Sequence, residues 1–121
     1  MVLPSRQALI DATAVVLKTQ ELAGLDLVAD GEMYRFDVNH PETNGMIEYF
    51  VNPLANVRSQ VTRADGEAFR RKKGMGFRAQ PAAVVEGEIG PGTLNLVDDY
   101  RRVRRLTPHP LKFTITGPHM L

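Results

Sequence analysis

Cysteine is absent from the 121 residues. Its absence excludes disulfides, a thiolate-held metal and a nucleophilic cysteine within this chain, and it fits a cytoplasmic address. Long apolar runs are missing too. No stretch approaches the ~20 residues that a membrane-spanning helix requires. The opening MVLPSRQ lacks the apolar centre of a secretory leader. Charge of one sign is not in excess either. Fifteen Lys and Arg face fourteen Asp and Glu, a net charge of +1, which argues against a dedicated nucleic-acid binder. No internal repeat is present. What is there is 43% apolar and 24% charged, the composition of one ordinary globular domain with a modest core.

The patterns alternate between helix and strand. Residues 5–23 predict a helix, with Ser5 as N-cap, Ile10, Ala14 and Leu17 at helical spacing, and Gly24 as a left-handed stop. A short apolar run, LDLVAD, follows and exits into "DGEMYRF". "DVNHPETNG" is rich in turn formers and reads as a loop, and "MIEYFVNPLANV" as a short helix. From about 57 to 80 the chain is polar and basic, a hairpin or long excursion from an otherwise single segment. "AAVVEGEIG" (82–90) predicts a second strand. Thr93 then caps a helix whose Leu96, Tyr100, Val103 and Leu106 form one apolar stripe. Asp98 and Asp99 open that helix and four arginines close it, as its dipole favours. "LKFTITG" (111–117) predicts a third strand. Strands alternating with helices imply parallel pairing, and such sheets gather function at the carboxyl ends of their strands. Asp30 and Glu32 lie at one such exit. Glu86, Glu88 and His119 lie at or past the others.

"AGLDLVADGE", "MIEYF", "VDDYRRVRRLT" and "KFTITGP", in this order, resemble the cobalamin-independent methionine synthase family over roughly Ala14 to Leu121. The resemblance implies an α/β fold: a partial (β/α)₈ TIM barrel of about three parallel strands with helices. Three strands cannot close a barrel, so a second polypeptide carrying the rest is expected, or a longer parent protein. Met1 favours the subunit over the fragment. The implied activity is methyl or alkyl transfer to a thiol or amino acid substrate, with zinc expected in the completed site and a folate as possible methyl donor. Zinc ligands, cysteines among them, are expected beyond Leu121, so this chain binds no cofactor alone. A non-catalytic subunit that stabilises a larger barrel enzyme is the alternative.

Glu32 matches the glutamate that in relatives helps to hold the amino acid substrate. A rim carboxylate holds an ammonium, or acts as general base when burial raises its pKa. The plainer reading is a strand-end acid that caps a turn or pairs with Arg35, itself a candidate substrate contact. Asp30 suits orienting the turn through backbone amides, with substrate contact as the alternative. Tyr49 either lines a pocket or packs beside Met46. His119, after Gly117-Pro118, is a further candidate contact. His40 and Glu42 in "HPE" are metal-ligand types, but two residues are too few, and no metal site is assigned. The basic run "FRRKKGMGFR" (69–78) offers phosphate, RNA or folate-tail binding, with Phe69 and Phe77 placed for stacking. A solvated excursion is the favoured reading, since the total charge is near neutral, and Gly74 and Gly76 form no phosphate-loop motif.

Overall fold

The computed structural model describes residues 5–36, 44–72, 80–118 and 120–121. His40, Glu42, His119 and residues 73–79 of the basic run lie outside the described residues. The chain divides into two compact units, Met1–Glu42 with Asn95–Ile115, and Thr43–Leu94 with Thr116–Leu121.

The first unit is built on helix α1, Arg6–Leu22. Ser5 caps it as its sequence predicts, its Oγ accepting the Ala8 N–H at 3.1 Å. Gly24 ends it at φ +79°. The Gly24 N–H reaches the Glu21 carbonyl and the Leu25 N–H the Gln20 carbonyl, a pair of bonds that satisfies the last free carbonyls of the helix. Strand β1, Val28–Ala29, follows directly. Helix α4, Leu96–Arg104, and strand β4, Leu111–Lys112, complete the unit. β1 and β4 pair in parallel, Val28 opposite Leu111 and Ala29 opposite Lys112. Two parallel strands with a helix before each is the α/β arrangement that the sequence predicts. Leu17 of α1, Val28 of β1 and Val103 of α4 form the buried core, with Tyr34, Leu106 and Leu111 packed on it.

Helix α4 differs from expectation at its start. Asn95, not Thr93, is the cap, its Oδ1 accepting the Asp98 N–H at 3.1 Å. The Thr93 N–H is instead spent on the Pro53 carbonyl. The charges fall as predicted: Arg101 pairs with Asp98 and Arg102 with Asp99. The third predicted strand is shorter than expected, because residues 113–117 form no ladder.

The second unit contains helix α2 (Glu48–Val51), strand β2 (Ala55–Arg58), helix α3 (Arg63–Arg71) and strand β3 (Val84–Gly90). Here the structure corrects the expectation of three parallel strands. β3 does not join β1 and β4 in a sheet; it pairs antiparallel with β2. A parallel strand is buried on both faces and so apolar throughout. β3 carries Glu86 and Glu88 and is exposed along most of its length, which suits a two-stranded ribbon. Glu86 and Glu88 therefore lie inside a strand and not at its exit. Asn56 sits in a bulge at φ +59° and donates through Nδ2 to the Glu88 carbonyl at 2.7 Å. Residues 63–71, expected in an irregular excursion, are helical. Thr62 and Asp65 cap them reciprocally, each side chain bonding the other's backbone N–H. Arg58 ties the ribbon to this helix through Glu86 at 2.6 Å and Asp65 at 3.1 Å. No helix among the described residues is long and apolar enough to cross a membrane.

Candidate functional site

The exit of β1 brings Asp30, Glu32 and Arg35 together. Asp30 is the first residue past the strand and is 1% exposed. A buried carboxylate needs partners. One oxygen accepts the Glu32 N–H at 3.3 Å, the other the Tyr34 hydroxyl at 2.5 Å. Asp30 thus fixes the turn through a backbone amide, and Tyr34 supplies the second partner. Burial first, and the hydrogen bond to Asp30 second, push the Tyr34 phenol well above its ordinary value, so it stays protonated.

Gly31 and Glu32 are both left-handed, at φ +71° and +56°. Glycine is required at 31 for a second reason. A Cβ there would lie 2.7 Å from Val16 Cγ1 on α1. Glu32 has no such licence. A glutamate in this region is strained, and such strain persists where the surroundings over-determine it. Three contacts do so here. Its N–H is held by Asp30, its carbonyl accepts the Arg35 N–H at 2.9 Å, and its Oε1 lies 3.3 Å from Arg35 Nη1. The Glu32 side chain keeps 30% exposure. Its carboxylate is accordingly held in place yet open to solvent.

Arg35 is the fixed point beneath it. Its side chain is 3% exposed. Nη2 donates to the Thr114 carbonyl at 2.6 Å, just past β4. The guanidinium lies 5.2 Å from the Phe113 ring centroid and 5.6 Å from that of Tyr34. Two aromatic faces and a carbonyl therefore hold the cation, and the cation holds Glu32. Burial leaves Arg35 better placed to position Glu32 than to meet a ligand itself.

Tyr49 lies in the other unit, half-buried, its ring edge-on to Phe50 at 5.1 Å. Among the described residues no three His, Asp or Glu side chains converge as a metal site. A concavity of about 910 Å³ opens in the second unit, lined chiefly by apolar residues such as Val51, Leu54, Phe69 and Val84. Its side-chain carboxylate, Asp65, is already engaged by Thr62 and Arg58, so the partly exposed Glu32 carboxylate at the β1 exit is the better candidate. Sequence reasoning passed over Tyr34 and Phe113. The i, i+4 spacing of Asp30 and Tyr34 across a turn was the available signal; Phe113 had none short of knowing that β4 lies beside β1.

Parallel strands, covering helices and carboxylates gathered at a strand exit define an α/β segment. By sequence the chain is a relative of the cobalamin-independent methionine synthases. It is 32% identical over 108 residues to the 5-methyltetrahydropteroyltriglutamate–homocysteine methyltransferase of Acidithiobacillus ferrooxidans, covering 87% of this chain and 12% of that protein. The protein of the same name from Nitratidesulfovibrio vulgaris is 30% identical over 111 residues, 92% of this chain and 12% of its own. The methionine synthase of Sulfurisphaera tokodaii is 32% identical over 119 residues, 96% of this chain and 30% of its own. The chain therefore spans between about an eighth and a third of the curated relatives it matches. No family model and no solved structure matches it.

Proposed function

We propose that this chain is a segment of a methionine-synthase-like methyltransferase barrel and supplies part of its substrate-binding wall. Glu32 is the group that meets substrate, its carboxylate holding the ammonium of an amino acid thiol such as the homocysteine named for the relatives. Asp30, Tyr34 and Arg35 keep that carboxylate in place. The observation that carries the reading is the strained, left-handed Glu32, clamped on its backbone and on one oxygen yet open at the rim. A residue that only ended a strand would gain nothing from such a backbone.

The described residues do not fit a zinc site, because no three His, Asp or Glu side chains among them converge. Zinc and a methyl-folate donor belong, on this reading, to the polypeptide that completes the barrel. The test is native purification with intact mass and metal analysis. A co-purifying polypeptide of roughly 100 residues or more, since a closed barrel of this type takes at least about 200, together with zinc, is the expected result. A chain that purifies from its native source with neither a partner polypeptide nor zinc would overturn the proposal. Should a partner be found, Glu32→Gln in the complex separates the two roles: unchanged substrate affinity and turnover would make this chain a structural subunit only.

A further inference from the structure

The outer edge of β1 is closed by a side chain. In a parallel strand, alternate residues address opposite neighbours. Val28 turns to β4, its N–H donating to the Pro110 carbonyl at 3.0 Å. Ala29 turns the other way, where no strand lies among the described residues. Both of its backbone groups are nevertheless bonded, and to one residue. The Ala29 N–H donates to Gln20 Oε1 at 2.9 Å, and Gln20 Nε2 donates to the Ala29 carbonyl at 2.7 Å. The second Nε2 hydrogen reaches the Val16 carbonyl on α1 at 3.2 Å. The carboxamide of Gln20 thus reproduces a peptide unit of a neighbouring strand, with its own donors and acceptor satisfied.

We propose that Gln20 is a latch on a strand-docking edge. The strand that belongs there is parallel to β1 and comes from the polypeptide that completes the barrel; this identity rests on the reading given above. Two features support that occupant. A helix that feeds a parallel strand carries the chain over from the neighbouring strand, and α1 feeds β1 on the side that Gln20 closes. The relatives also contain several times the length of this chain, enough to supply the strand. While it is absent, the latch withholds the two free backbone groups from any other edge, as exposed edges must be protected. An incoming strand exchanges the carboxamide for its own backbone.

The experiment compares the full chain with Gln20→Leu, and with Gln20→Asn, too short to reach, should leucine disturb the helix. In the chain alone, hydrogen exchange at the Ala29 amide accelerates roughly tenfold on losing its acceptor, while Val28 is unchanged. Equal protection of Ala29 in variant and wild type overturns the latch. The second arm repeats the measurement in the natively purified assembly. There the Ala29 amide is bonded to the incoming strand, so it is protected equally in wild type and variants. Faster Ala29 exchange in the variants within the assembly overturns the docking edge. Failure of the barrel reading itself appears separately, as the absence of a native partner, whatever the Ala29 amide does.

Discussion

Glu32 concentrates the argument at the scale of single residues. Its backbone lies where an L-residue is strained, and its side chain lies where a ligand can reach it. The two properties separate by mutation. Glu32→Ala and Glu32→Gly remove the same carboxylate, but only glycine relieves the left-handed backbone. The glycine variant should be more stable by about 1 kcal/mol in chemical denaturation. Equal stabilities would mean that the left-handed turn does not exist in solution. Tyr34 gives a second prediction, in pH. Its phenol is raised above the ordinary 10.0, so the folded state favours the protonated form. The stability it contributes is whole below pH 10 and is lost as pH rises toward the folded value. In an alkaline titration followed by phenolate absorbance, one tyrosine should ionise only as the protein unfolds, and Tyr34→Phe should remove that late step. A reversible ionisation of all tyrosines near 10, with the fold intact, would contradict the buried Asp30–Tyr34 bond.

Among the elements, legibility in the sequence followed how local each signal was. Helix α1 was readable because its cap, apolar spacing and stop glycine all sit within its own residues. The charge order of α4 was readable for the same reason, while its cap was missed because Thr93 is drawn off by Pro53. β3 is legible as a strand, but its partner is not a parallel one. Glu86 and Glu88, alternating with small and apolar residues, already speak against it; a strand buried on both faces has no place for them. β2 is not legible because four residues are too few to establish a period, and the bulge at Asn56 breaks its register. In the site, Asp30 and Glu32 were legible from their place after a strand. Their dependence on Tyr34, Phe113 and the Thr114 carbonyl was not, since it runs through pairing between segments about 80 residues apart. Helix α3 carries the prediction at this scale. Thr62→Ala removes one half of its reciprocal cap and should cost about 1 kcal/mol. The Asp65 carboxyl, which Thr62 holds below its ordinary 3.8, would return toward that value. The cap is therefore intact above the ordinary carboxylate range and fails as pH drops through the lowered value. Circular dichroism against pH should show the wild-type helix outlasting the variant into more acid solution. Coincident curves would contradict the cap.

For the molecule as a whole, what matters is how much of a site one short chain can make. The chain matches between 12% and 30% of the length of relatives named as a homocysteine methyltransferase and a methionine synthase, and the proposal gives it part of a substrate-binding wall. Leu25, Leu27, Phe36 and Ile115 in the first unit, and Val85 and Ile89 in the second, are all about half exposed, apolar surface that the proposed completion by further polypeptide would cover. Isothermal titration of homocysteine into the native assembly, with wild-type Glu32 and with Glu32→Gln, tests the central claim most directly. The account predicts an affinity lower by roughly tenfold or more in the variant, the worth of one hydrogen bond to a charged group, with the fold unchanged. Equal affinity in the two proteins would contradict it.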